Sequence, residues 1–232
     1  PTVGSVTLDK ETYLCTDTVQ IHVVDFSIVG AGLQPVTIVS TTEVAGVTLS
    51  LNETPANSGS FVGSVPLTTD PPAVDTRLSI ASGDTITVTY IDADDGYGHL
   101  NVPRTDTATV DCNGPVITNV QAQNIIADQA DITFDTNEAG STLVVYGSSI
   151  PPATPLSSAA FVTTHSKHLT GLTACTHYYY FVASTDPVGN STTSDNNGVY
   201  FSFDSDCAGP VISNVHTANP VGNSLDIVFD TN

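Results

Sequence analysis

Residues Ile91–Asn101 read IDADDGYGHLN, placing Asp92, Asp94 and Asp95 ahead of Gly96 and Gly98. Calcium takes several hard oxygen ligands, and glycine lets a short loop bend around the ion. Asp25 ends an earlier strand-like run that the strand order brings to the same pole. Asp25, Asp92, Asp94 and Asp95 therefore form a candidate calcium set. No Glu stands at the twelfth position, so the loop is not an EF-hand. The other reading is a polar hairpin whose Asp side chains cap their own turn. No further cofactor is indicated.

Cys15, Cys112, Cys175 and Cys207 are even in number and contain no CxxC pair. Zinc ligation normally uses close pairs, so two disulfides are the better reading. Disulfides persist in oxidising compartments, which points to an extracellular or cell-surface location. Asn52 and Asn190 begin N-x-S/T sequons, candidate glycosylation sites that a Ser/Thr-rich chain also produces by chance. His165 and His168 fall on opposite faces of one strand, and the other histidines are isolated. Neither G-x-S-x-G, H-E-x-x-H nor a phosphate-binding glycine loop occurs, so a non-enzymatic protein is expected.

The 232 residues carry 24 Asp+Glu against 4 Lys+Arg, a formal charge of −20. Nucleic acid and anionic lipid need clustered cations that this chain lacks. No run of about 18 apolar residues occurs, so direct membrane insertion is not expected. The length suits two domains of about 100 residues each. The chain begins on a strand-like run without a leader pattern, as a processed or excised segment would.

An internal repeat sets the domain frame. GPVITNVQAQNIIADQADITFDTN from Gly114 returns as GPVISNVHTANPVGNSLDIVFDTN from Gly209, with 13 of 24 positions identical. Cys112 and Cys207 share the same spacing. The expected domains are residues 1–113, 114–208, and 209–232 as the first two strands of a repeated module. Such a half-module needs its remaining strands from a longer chain or from another copy.

Alternation gives the second module's strands as Pro115–Gln121, Ala130–Asp135, Thr142–Gly147, His165–Leu172, His177–Asp186 and Val199–Asp204. No segment keeps a 3.6-residue apolar period, so the fold class is all-β: tandem antiparallel β-sandwiches. LTACTHYYYFVASTD, Leu172–Asp186, resembles the E–F corner and F strand of fibronectin type III domains. Leu172, Thr176, Tyr178, Val182 and Asp186 fall in place, and the resemblance makes Tyr178 the corner tyrosine. Ala174-Cys175 in place of Pro-Gly, Ser184 in place of Ala, and Phe134 in place of a strand-B Trp are departures.

The first module reads as strands Gly4–Asp9, Asp17–Asp25, Pro35–Thr41, Val47–Asn52, Ser60–Thr68, Arg77–Ala81, Asp84–Ile91 and Thr105–Cys112. LDKETYLCTDTVQIHVVD, LNETPANSGSFVGSVPL and SGDTITVTYIDADDG resemble immunoglobulin-like repeats of bacterial and archaeal surface-layer and large secreted proteins. That resemblance implies an extracellular structural module and carries over no catalytic residue.

In a seven-strand sandwich the starts of strands B and F and the end of G share one pole. Strand order then pairs Cys15 with Cys112 and Cys175 with Cys207, one bridge per module, beside the linkers Asn113-Gly114 and Ala208-Gly209, each followed by Pro. Acids also gather near the junctions: Asp111, Asp135, Glu138, Asp186, Asp204 and Asp206. On the outer face of strand F, Tyr179 and Phe181 join Tyr200 of the neighbouring strand as a candidate binding patch; cross-strand sheet stabilisation is the alternative.

The expected function is a non-enzymatic extracellular or cell-surface structural module, a spacer or a subunit of a surface layer or filament. The alternatives are an adhesin or carbohydrate-binding accessory module, and the non-catalytic tail of a secreted hydrolase. Expected partners are neighbouring domains or copies of itself, or a surface glycan or protein.

Overall fold

Runs of Val, Ile and Thr alternating with polar residues build strands, because branched side chains pack well on a pleated, half-buried surface. A computed structural model describes residues 2–207, 209, 212–222 and 224–231. The chain divides into two units, Pro1–Gly114 with Asp186–Ser191, and Pro115–Thr185 with Thr192–Asn232. No helix among the described residues is long and apolar enough to cross a membrane. Of the second linker, Ala208 and Pro210 lie outside the described residues.

Unit one is a single curled sheet. Its strands are β1 Ser5–Leu8, β2 Thr12–Tyr13, β3 Thr18–Val24, β4 Leu33–Ser40, β5 Val47–Glu53, β6 Ser60–Thr68, β7 Leu78–Ser79, β8 Thr85–Asp94 and β9 Leu100–Val110. The hydrogen-bonded order is β1-β3-β6-β5-β4-β8-β9-β2, with β7 beside β6. The first strand changes partner along its length: β1 runs antiparallel to β3, and β2 runs parallel to β9. In β3 and β8 alternate residues are buried, and Ile21, Ile38, Phe61, Ile86 and Tyr90 meet in one core.

Aspartates close the seam between β1 and the β8–β9 hairpin. Gly4 N donates to Asp92 Oδ2 at 2.8 Å, and Leu8 N donates to Asp106 Oδ2 at 2.7 Å. Carboxylates here satisfy backbone donors that no neighbouring strand reaches. Part of the acidic excess is thus spent on the fold.

The largest boundary differences from the sequence expectation in unit one fall at the β8–β9 hairpin, expected as Asp84–Ile91 and Thr105–Cys112. β8 continues through Asp94 and β9 begins at Leu100, so the expected long loop shrinks to Asp95–His99. Gly96 at φ 76° and Gly98 at φ 93° make the tight reversal that lets the ladder run on. The two-residue β2 carries too short a pattern to be read from alternation.

Unit two contains β10 Ile117–Gln123, β11 Gln129–Gly147, β12 Thr154–Thr170, β13 His177–Thr185, β14 Ser191–Ser194 and β15 Phe201–Asp204. The strands expected at Ala130–Asp135 and Thr142–Gly147 are one bent ribbon, β11. Its first half pairs with β10 and the end of β12, and its second half with β13 and the start of β12. Register shifts on both sides of Gly140 mark the bend. A Cβ at Gly140 would fall on Ser184 Oγ, so glycine here leaves the room that the buried Ser184 side chain occupies. β13 buries Tyr178, Tyr180, Val182 and Ser184 and turns Tyr179, Phe181 and Ala183 outward, as the alternation predicts. Ile132, Phe134, Val144, Leu169 and Phe203 complete this core.

A third sheet holds only β16 Ile212–Val221 and β17 Ser224–Thr231. Its first five pairs repeat the register of β10–β11, and a further pair, Val221↔Ser224, follows beyond a second shift. Ile212↔Thr231, Ser213↔Asp230 and His216↔Val228 match Ile117↔Thr136, Thr118↔Asp135 and Gln121↔Thr133, with the bulge at the same place.

Candidate functional site

The acidic pole of unit one is built on β3, β8 and β9. Asp25, just past β3, caps the short 3-10 turn Phe26–Ile28 by accepting from Ser27 N at 2.8 Å. Its other oxygen accepts from the buried Tyr90 hydroxyl at 2.6 Å. Burial and the Asp25 carboxylate push the Tyr90 phenol well above its ordinary range. Asp92 is fully buried and accepts from Gly4 N, from Asp94 N at 3.2 Å and from Arg104 Nη2 at 3.4 Å. Gly4 is required here, since a Cβ would sit 2.6 Å from Tyr90 Cε1.

Asp95 accepts Tyr97 N at 2.9 Å and His99 N at 3.2 Å, and pairs with His99 Nδ1 at 2.9 Å. The Tyr97 N–H, followed by the His99 contacts, holds its carboxyl below the usual range against the opposing effect of burial. Asp94 turns away and caps Gly96 N at 3.0 Å. The structure thus brings Asp25 and Asp92 together around Gly4 and Tyr90, gives Asp95 a separate set of donors, and leaves Asp94 in its own turn. Among the described residues, no three of these four bring ligand oxygens within 4.8 Å of one another.

Arg104, on β9, belongs to no motif of the sequence. Its Nη2 lies 3.4 Å from Asp92 Oδ2 and 3.7 Å from Asp95 Oδ2, so a cation of the protein already stands between two buried carboxylates. The signal available in the sequence was scarcity, one of only 4 Lys+Arg placed across a hairpin from three aspartates.

Glu53 lies at the start of the loop that carries Pro55, Asn57 and Gly59. Its carboxylate gathers Gly30 N at 2.9 Å, Gly32 N at 3.2 Å and Gly59 N at 2.9 Å. The Gly30 and Gly59 N–H groups, strengthened by Gly32 and Asn57, lower its pKa to about 2. Two loops hang on one side chain.

In unit two, Tyr178 makes the corner that the resemblance implied: Thr173 N donates to Tyr178 Oη at 2.9 Å. His165 is completely buried, stacked on Phe134 with ring centroids 4.2 Å apart. Its nitrogens contact Thr136 Oγ1 at 3.0 Å and Thr142 Oγ1 at 2.8 Å. Burial lowers its pKa, with Asp135 pulling the other way. Two hydroxyls, which can donate or accept, suit a neutral imidazole.

The aromatic patch forms with one change. Tyr179 and Phe181 are half-buried on the outer face of β13, but Tyr200 is not in a strand. It ends the turn after β14 with φ 60°, anchored by Tyr200 N to Asp195 O at 2.8 Å. From there its ring still lies 6.1 Å from that of Phe181, while His177 meets Tyr179 edge-on at 4.7 Å. Asn52 is exposed on β5, whereas the Asn190 amide nitrogen donates to Asp186 Oδ2 at 2.8 Å. The same nitrogen donates to Asp111 O at 3.2 Å, and a glycan, which replaces one of its two hydrogens, would cost one of these two bonds.

The cysteines form Cys15–Cys112 and Cys175–Cys207, with Cα–Cα distances of 5.1 and 4.5 Å. The parallel β2–β9 pairing of unit one and the ribbon β11 with the Tyr178 corner of unit two define the class: immunoglobulin-like and fibronectin type III-like β-sandwich domains in tandem, each closed by one disulfide.

No protein-family model and no curated protein matches the chain. Among solved structures, it is similar to the FN1–FN3 domains of chicken CNTN1 at 11% identity and TM-score 0.41, over 89% of this chain and 68% of that one. A multidomain segment of titin is similar at 12% identity and TM-score 0.43, over 82% of this chain and 63% of that one. A two-domain fibronectin type III segment of chicken tenascin is similar at 16% identity and TM-score 0.29, over 82% and 95%.

Proposed function

We propose that this chain is a non-enzymatic structural spacer of an extracellular or cell-surface protein, made to transmit tension along a string of domains. The observation that carries the reading is the position of the disulfides in the chain. Tension entering unit one from its N-terminus passes from Cys15 directly to Cys112, bypassing the residues between them. In unit two the Cys175–Cys207 bond takes β13 to β15 out of the tensioned path in the same way. Such cross-links also persist only where the surroundings are oxidising. Calcium taken up at the Asp92–Asp95 turn would compete with Arg104 for the same carboxylates.

Single-molecule stretching with and without reductant tests the reading. Reduction frees a separation of 97 residues in unit one and 32 in unit two. At about 3.5 Å per residue, extension grows by about 340 and about 110 Å. Equal extension in both conditions would rule the shielding out. The half-exposed Tyr179, Phe181 and Tyr200 rings support a second reading, a glycan-binding module. Glycan-array binding that disappears in Tyr179→Ala would favour it, and no binding to any glycan would count against it.

A further inference from the structure

In each unit one strand leads into the second cysteine of the disulfide, β9 before Cys112 and β15 before Cys207. The outer edge of β9 is covered. There β2 lies parallel to it, Thr109 N donates to Glu11 O and Asp111 N to Tyr13 O, both at 2.9 Å, and Tyr13 is completely buried. Counted back from the cysteines, Asp204 stands where Thr109 does, yet β15 pairs with β13 alone. Ser205 N donates to Thr176 O at 3.0 Å, and bonding alternates along an antiparallel strand. The N–H groups of Ser202 and Asp204 therefore turn the other way, to an edge that no described strand occupies.

A groove of about 580 Å³ runs between this strand and β10, walled by Val120, Ala122, Ile125, Phe201, Phe203 and Tyr180. Tyr180 is only 2% exposed, and burial alone pushes its phenol up to about 12. Among the described residues its hydroxyl has no hydrogen-bond partner. Tyr13, Tyr90 and Tyr178 are also buried, and each has one: Asp9, Asp25 and the Thr173 N–H. A buried hydroxyl is costly to leave unpaired, so the exception at Tyr180 points to a group from outside the unit.

Open backbone donors beside a groove for alternate side chains are what an added strand uses. Charge narrows the choice of occupant. Asp204 lines the groove and the chain carries −20, so a second copy or an acidic segment is repelled.

We propose that β15 is an acceptor edge for an extended, non-acidic segment of a partner protein, which pairs with Ser202 and Asp204, sets an apolar side chain in the groove and gives the Tyr180 hydroxyl its partner. The site does not depend on the tension-bearing role, and it lies on the other side of β13 from the outward Tyr179 and Phe181.

Seven-residue peptides displayed on phage, selected against the full chain, supply the probe, and the enriched sequences are synthesised and titrated by calorimetry. They are expected to lack Asp and Glu. Ser202→Pro removes an outward N–H and no bond to β13, a change that an edge strand tolerates, and should weaken binding at least about tenfold. Tyr180→Phe should weaken it about fivefold or more, yet melt no lower than the natural chain, because the hydroxyl has no internal bond to lose. The proposal is overturned if the library yields no binder, if the binders keep their affinity in both variants, or if Tyr180→Phe melts lower, since the hydroxyl then serves the fold. Binders lost in Tyr179→Ala but kept by Ser202→Pro occupy the outer face of β13 and overturn it as well.

Discussion

Asn119 donates its side-chain amide to Asp135 Oδ2 across the β10–β11 bulge at 2.9 Å, while its own backbone sits at φ 53°. Asn214 repeats the arrangement, at φ 49° and 2.6 Å from Asp230 Oδ2. A second pair recurs further along, with Asn124 on Asp131 and Asn219 on Asp226. Asparagine tolerates the left-handed region better than other side-chain-bearing residues, and its amide then crosses to the facing strand. The conserved spacing of Asn and Asp in the repeat is a record of this clamp.

Separating the backbone from the side-chain contribution gives the first prediction. Asn119→Ala loses the bond to Asp135 and puts a Cβ-bearing residue of poor tolerance at positive φ, costing about 1–2 kcal/mol. Asn119→Gly loses the bond but keeps the conformation and costs less. Chemical denaturation of both variants checks the order; equal losses would mean that the backbone angle contributes nothing.

Glu53 makes unit one sensitive to acid. Its pKa of about 2 lies below the ordinary 4.5, so its stabilisation is complete above pH 4.5 and is lost as pH falls through 2. Glu53→Gln should unfold more easily at neutral pH and show a flatter decline between those values. Parallel acid titrations followed by circular dichroism measure both, and an unchanged slope would sink the idea.

His165 makes unit two sensitive at a higher pH. Its folded pKa lies below the ordinary 6.5, so the unfolded chain takes up a proton first as pH falls. Stability contributed by the neutral ring is full above pH 6.5 and declines below it. Hydrogen exchange of β13 amides between pH 8 and pH 5, corrected for intrinsic rates, should show that decline in the natural chain and lose it in His165→Gln.

Arg104 and calcium should compete. Arg104→Gln removes the guanidinium from Asp92 and Asp95, so the variant should melt lower without calcium and gain more from its addition than the natural chain. Calorimetric titration of both proteins measures the difference. An identical response would show that the guanidinium and the ion do not share these oxygens.

Much of this molecule is written locally. The alternation His177–Thr185 fixes which β13 side chains face the core, because strand geometry turns successive residues to opposite sides. The 24-residue repeat likewise fixes the register of two hairpins, because a tight turn, a bulge and cross-strand Asn–Asp bonds lie within one short segment. Strand order was enough to pair Cys15 with Cys112 and Cys175 with Cys207.

What the tertiary structure decided depends on groups far apart in sequence. Ser184 fills the space that a side chain at position 140 would need, the anchor of the Gly30 loop is Glu53, and the lining of His165 comes from Thr136, Thr142 and Phe134. The Asp-rich turn shows the difference most clearly. Its sequence specified oxygen atoms, and only the fold assigned them, because Gly4, just ahead of β1, and Arg104 of β9 bring the hydrogens that Asp92 accepts.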